Sequence, residues 1–189
     1  TGWSYDPYTW DSIHYYIDYS DNDLSYYKLN ATSVTGDSLK LHAEQNKTGD
    51  FIITDFKGFL KQTEINFPRP FYISYSNNNL DFPVVNLNIG EGEVELSGKY
   101  SSNNRYKISG YISNLDLNKL YSIIGKSFRI NGILNQAHFI IENNDNKSVP
   151  FSKIFIENLN LIAGRVDEIE FDSLNLSAIY SNRSFLLNK

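Results

Sequence analysis

Apolar residues recur at every second position over much of this chain, the spacing that gathers side chains on one face of a β-strand. Val94 and Leu96 alternate with Glu93, Glu95 and Ser97. Tyr106, Ile108 and Ile112 alternate with Lys107, Ser109 and Ser113, with Gly110 in register. Phe128 and Ile130 alternate with Arg129 and Asn131, and Leu174, Leu176, Ala178 and Tyr180 with Asn175 and Ser177. Leu39 and Leu41 flank Lys40, while Phe71, Ile73 and Tyr75 share one parity. Turn-forming clusters separate the runs: Thr35-Gly36-Asp37, Lys47 to Asp50, Ser76 to Asn79, Ser101 to Asn104, Asn143 to Asn146, and Ser181-Asn182. Strand plus turn repeats about every ten residues, which predicts an all-β, mostly antiparallel meander.

The alternation slips at two places. Ile154 and Ile156 share a parity that Leu159 and Leu161 do not, and Ile169 and Phe171 differ in the same way from Leu174 and Leu176. One extra residue restores the facing, so β-bulges are expected near Asn158 and near Asp172-Ser173. A single segment has helical spacing: Leu117, Leu120, Tyr121 and Ile124. Asp116 is placed to cap it and Gly125 to end it, which predicts one short helix near 115–124 lying on the sheet. Phe67-Pro68-Arg69-Pro70 is the best candidate for an internal boundary. Without a low-complexity linker, the chain reads as one continuous β-rich segment, 1–189.

Composition narrows the chemistry. Cysteine is absent, which removes disulfides, thiolate metal sites and cysteine nucleophiles. Methionine is absent and the chain opens on Thr1, so it reads as a processed or excised piece of a longer protein. No apolar run approaches the ~18 residues of a spanning helix. Residues 1–95 hold 14 acidic and 6 basic residues, and residues 96–189 hold 8 and 11, with no basic run, so no nucleic-acid footprint is present. Asn, Ile, Lys, Tyr and Phe make 81 of the 189 residues, an AT-rich coding bias that explains the abundant Asn and removes meaning from the five glycosylation-like sequons.

Catalytic signals are poor. His14, His42 and His138 are far apart, and His138 reads as a surface strand residue. Gly90-Glu91-Gly92 lacks the third glycine and the helix of a dinucleotide loop. Asp18, Asp21 and Asp23 lack the glycine and distal Glu of a calcium loop. Asp167, Glu168, Glu170 and Asp172 read as the charged outer face of a strand. No cofactor and no metal is expected, and an enzyme is the least favoured class. The candidate active surface is the apolar face itself. It either closes on a second sheet or stays open as a trough, and periodicity does not separate the two.

Glu91 to Tyr100 (EGEVELSGKY) resembles the G-x-V-x-L-x-G strand of the TamB and AsmA-like bacterial envelope proteins. The strand at Tyr106 to Ser113 follows it. Asn114 to Leu120 (NLDLNKL) resembles that family's recurring helix opening, and Ser127 to Leu134 its next strand. The likeness covers about Leu87 to Tyr180. It implies an elongated, U-shaped β-sheet, a "taco", whose hydrophobic groove binds acyl chains and moves phospholipid between inner and outer membranes in support of outer-membrane biogenesis. The implied setting is the periplasm, with the parent protein anchored in the inner membrane through parts outside this chain. The implied partners are phospholipid and an outer-membrane barrel of the TamA type. The lining would be Val94, Leu96, Ile108, Ile112, Phe128, Ile130, Phe139, Ile141, Leu159, Leu161, Leu174 and Leu176. The alternative is a carbohydrate- or protein-binding β-sandwich that uses the Trp- and Tyr-rich residues 1–30.

Overall fold

The structure is a computed structural model that describes residues 3–5, 8–19, 24–101, 105–124, 130–143, 153–166, 168–181 and 184–188. In chain order the strands are β1 (Trp3–Tyr5), β2 (Tyr8–Trp10), β3 (Ser12–Tyr19), β4 (Ser25–Thr32), β5 (Ser38–Gln45), β6 (Phe51–Leu60), β7 (Thr63–Asn66), β8 (Phe71–Ser76), β9 (Asn79–Ile89), β10 (Gly92–Ser101) and β11 (Arg105–Asp116). The helix α1 (Leu117–Ile124) follows, then β12 (Ile130–Asn143), β13 (Lys153–Val166), β14 (Ile169–Ser181) and β15 (Ser184–Asn188).

Strands β3 to β15 form one 13-stranded sheet, and every ladder in it is antiparallel. The order is sequential, with β3 and β15 at the two edges. Strands β7 and β8 share one lane between β6 and β9, and the Phe67–Pro70 segment is the break between them. Phe67 fills that break, its ring 4.8 Å from that of Phe56 and 4.7 Å from that of Phe71. Strands β1 and β2 make a separate hairpin with Trp3 opposite Trp10. Of the six predicted turn clusters, those at 35–37, 47–50 and 76–79 join consecutive strands, while residues 102–104, 144–146 and 182 of the other three lie outside the described residues.

Two-residue turns set the registers. Asn77-Asn78 (φ 50° and 60°) and Lys61-Gln62 (φ 48° and 64°) are both left-handed, the twist that matches antiparallel strands. Gly90-Glu91 is likewise a hairpin turn, with Ile89 paired to Gly92, so the glycines there serve the chain reversal.

The bulge near Asn158 is present. The β13–β14 register shifts between Ile156 and Leu159, and Asn158 has φ 53°. The bulge near Asp172-Ser173 is not. The register passes those residues unshifted, and the pleat is broken on the facing strand instead, where Ala163 has φ 46°. Period counting on β14 detects that a face is exchanged but not which strand of the pair supplies the irregular residue. Pro83, inside β9, sits where β9 and β10 shift register between Leu96 and Gly98, one of the few sheet positions that tolerates a missing N–H.

The helix forms as expected. Asp116 Oδ1 accepts from the Asn118 N–H at 2.8 Å and from the Lys119 N–H at 3.4 Å, capping the first turn. Leu117, Leu120 and Tyr121 pack on the sheet, but Ile124 is exposed and Ile123 packs in its place. Gly125 and its capping role lie outside the described residues.

Among the described residues, substantial contacts run only between ladder neighbours and from α1 to β11 and β12. Among the described residues no ladder links strands that are not neighbours in this order. The accessible surface is 12617 Å², against roughly 9,200 Å² for a compact monomer of 21.7 kDa. The excess is that of a single curved layer.

Candidate binding face

Cross-strand pairing decides what each alternating run meets. Val85 stands opposite Leu96, Leu96 opposite Gly110, Gly110 opposite Phe139, Phe139 opposite Ile156, and Ile156 opposite Ala178. A second row runs Leu87–Val94–Ile112–Ala137, and a third runs Gly98–Ile108–Ile141–Ile154–Tyr180. Directly paired residues project to the same face. The predicted lining residues Val94, Leu96, Ile108, Ile112, Phe139 and Ile141 are therefore brought together.

Beside α1 a fourth row runs Leu115–Leu134–Leu161–Leu174, and Leu159 pairs with Leu176. This is the densest part of the molecule: Leu115 and Leu161 are each 2% exposed, and α1 covers them. Burial also raises the Tyr121 phenol above its usual value. Leu174 and Ile130 lie at the margin, both exposed. Ile130 opens β12 opposite Val166, which faces the exposed Ile169. Phe128 lies outside the described residues.

The face extends beyond the predicted residues. Ile13, Ala31, Leu39, Gly58, Ile65 and Ile89 pair in succession from β3 to β9, and Ile89 meets Gly92, which abuts Leu115. One apolar row thus crosses from the β3 edge to β14. Sequence reading missed its first half although Leu29 and Ala31 carry the same alternation. Ala137 was missed because a single alanine between polar neighbours gives no hydrophobic signal.

Glycines shape the surface. An added Cβ on Gly98 would lie 2.5 Å from the Phe82 ring, and on Gly110 2.3 Å from the Phe139 ring. On Gly164 it would lie 2.5 Å from the Phe171 ring. The aromatic rings occupy the space the missing side chains leave.

The opposite face is polar over most of its area. Ser97 and Ser109 share a 2.8 Å hydrogen bond. Asn135 donates to Asn160 at 2.9 Å and Asn160 to Asn175 at 2.7 Å. His138 lies 3.4 Å from Glu157 on this face, a surface strand residue as expected. Glu168, Glu170 and Asp172 are exposed, and Asp167 lies outside the described residues, as do Asp21 and Asp23.

Comparison with protein-family models, curated proteins and solved structures gave no match.

Among the described residues no three His, Asp or Glu side chains gather as a metal site. What the face offers is apolar surface without directional chemistry, half-buried at Leu96, Ile108, Ile112, Phe139 and Ile141 and buried at Ile65, Ile89, Val94, Leu134 and Leu161. It can take flexible hydrocarbon, for which each buried methylene contributes about 0.8 kcal/mol.

Proposed function

We propose that this chain is a segment of a β-groove that binds acyl chains and carries phospholipid along its length, between inner and outer membranes, in support of outer-membrane biogenesis. One observation carries the reading: an apolar row crosses from β3 to β14 on one face, buried under α1 at Leu115 and Leu161 and exposed at its two ends, Ile13 and Leu174. A sheet with one oily face must hide it against another layer or a ligand. The groove strand, helix opening and following strand that resemble the TamB and AsmA-like proteins are the elements that build this row's centre. The parent's membrane anchoring and its pairing with an outer-membrane barrel of the TamA type belong to the same proposal.

The test uses Ile108→Asp and Leu176→Asp against Ser109→Asp on the polar face. In an open groove the inward carboxylate reaches water, so the variants stay folded and bind a fluorescent fatty-acyl probe more weakly, while Ser109→Asp matches wild type. Cooperative unfolding of the inward variants at much lower denaturant, the signature of an ion in a closed core, counts against the groove.

A second reading rests on β3. Tyr15, Tyr16 and Tyr19 are exposed on this edge strand, the arrangement by which aromatics stack on sugars or anchor a protein partner. Loss of a glycan or protein ligand on Tyr15→Ala, with acyl binding absent throughout, favours it over the groove.

A further inference from the structure

The groove face differs between its two strand ends. At the end beside α1 stands the row from Ile13 to Leu174, built of Ile, Leu, Ala and Gly. At the other end Tyr75, Leu80, Tyr100, Tyr106 and Asn143 pair in succession across β8 to β12. Tyr100 lies two residues beyond Gly98, Tyr106 two before Ile108 and Asn143 two beyond Ile141, so they project on the groove face. Tyr180 faces Ile154 one position further in. On β4 and β5 the same end holds Tyr27, whose hydroxyl donates to Gln45 Oε1 at 2.7 Å. The Tyr75 hydroxyl donates to Asn78 Oδ1 at 3.0 Å.

On these strands the rings are sorted by their hydroxyls. The groove-face phenylalanines Phe71, Phe82 and Phe139 lie inside the tyrosine end, opposite Ile53, Gly98 and Gly110. A tyrosine ring has an apolar body and a polar tip, so it suits the boundary between hydrocarbon and water. Solvent access follows the same order. Tyr75 and Tyr100 are 47% and 41% exposed, while Leu115 and Leu117 at the α1 end are 2% and 9% exposed. Along β11 the step from Tyr106 to Ile112 is six residues, roughly 20 Å of extended chain.

We infer that the groove seats an amphiphile lengthwise along its strands, with the polar head at the tyrosine end and the hydrocarbon end against α1. An amphiphile must place unlike ends in unlike surroundings. On β8 to β14 that difference runs along each strand, from hydroxyl and amide to aliphatic side chain, whereas each row across the strands stays close to one character. Hydroxyls and amides both donate and accept without net charge, so the tyrosine end holds a head by position rather than by its charge. The inference rests on the groove reading and adds to it the orientation of the bound lipid and the residues that set it.

Two phosphatidylcholine probes test it on the unaltered 189-residue chain. One carries a photoreactive group on the head and the other at the end of an acyl chain, and mass spectrometry locates the adducts. The head label should mark Tyr75, Tyr100, Tyr106 and their neighbours Leu80 and Asn143. The terminal label should mark α1 and Ile112. Reversed positions, or both labels at both ends, overturn the inference and leave the groove reading standing. No adduct from either probe overturns both. A second measurement uses the double variant Tyr100→Phe, Tyr106→Phe, which removes two hydroxyls and keeps the rings. It should bind a short-chain phosphatidylcholine about two- to ten-fold more weakly, the worth of one hydrogen bond. It should bind diphenylhexatriene, a hydrocarbon without a head, as wild type does. Equal loss for both ligands, or no loss for the phospholipid, also overturns the inference.

Discussion

The carboxylate of Asp37 holds the turn at Lys61: Oδ1 accepts from the Lys61 N–H at 2.6 Å, and Oδ2 lies 3.8 Å from the Lys61 ammonium. Asp37 is 4% exposed although it sits in the β4–β5 turn, and Thr35 Oγ1 also donates to it at 3.0 Å. It fixes a left-handed Lys61-Gln62 turn that has no glycine. Asp37→Ala should cost about 2 kcal/mol in urea unfolding, because a part-buried N–H loses a charged acceptor. Gln62→Gly should stabilise by up to about 1 kcal/mol by relieving the φ of a β-carbon residue. An unchanged midpoint for Asp37→Ala contradicts the clamp.

Two glycine substitutions should differ in kind. At Gly110 the added methyl meets the tip of the Phe139 ring, which can swing away from it, so Gly110→Ala should cost about 1–3 kcal/mol. Phe139→Leu should recover part of that loss in the double variant. At Gly132, φ is +120° and the methyl would lie 2.7 Å from Gly164 Cα, where only backbone can yield. Gly132→Ala should cost more, on the order of 3 kcal/mol or above. Denaturant midpoints of the three variants give the comparison, and equal losses at the two glycines refute it.

Acid should act through two carboxylates, Asp50 in the β5–β6 turn and Asp55 in β6. Asp50 lies below the ordinary carboxylate value of 3.8, first because Ser74 Oγ donates to it at 2.7 Å, then through Thr48 and Asn46. Asp55 is lowered chiefly by the Lys40 ammonium at 2.9 Å. Each carboxylate binds its proton less readily folded than unfolded. Its contribution is therefore complete above the unfolded value and is lost as pH falls through the lower folded one. Carboxyl-carbon NMR titration should place both midpoints below 3.8, and Ser74→Ala should move Asp50 upward while leaving Asp55 in place. An Asp50 midpoint indifferent to Ser74→Ala contradicts the assignment.

The meander was legible because its signals are local. Alternation within β10, β11 and β14, the described turn clusters, and Asp116 before a 3.6-residue run each report on a few adjacent residues, and these were found where expected. Pairing is not local. Nothing near Leu115 indicates that it meets Leu134 and Leu161 under a helix. Nothing near Gly110 indicates that a phenyl ring from β12 fills its missing side chain. The row in which Ile140 pairs with Phe155 and Phe155 with Ile179, on the otherwise polar side, was hidden for the same reason. Ile140, Phe155 and Ile179 each sit in a continuous oily run, which reads simply as hydrophobic until register divides it between two faces.

Site-specific photocrosslinking at neighbouring positions tests the groove most directly. A photoreactive residue at Leu96, Phe139 or Leu176 faces the apolar row, while one at Glu95, His138 or Asn175, a single position away, faces the polar side. With phospholipid present, the account predicts lipid adducts at the first three positions and none at the second three. Adducts at neither set, or equally at both, would contradict it.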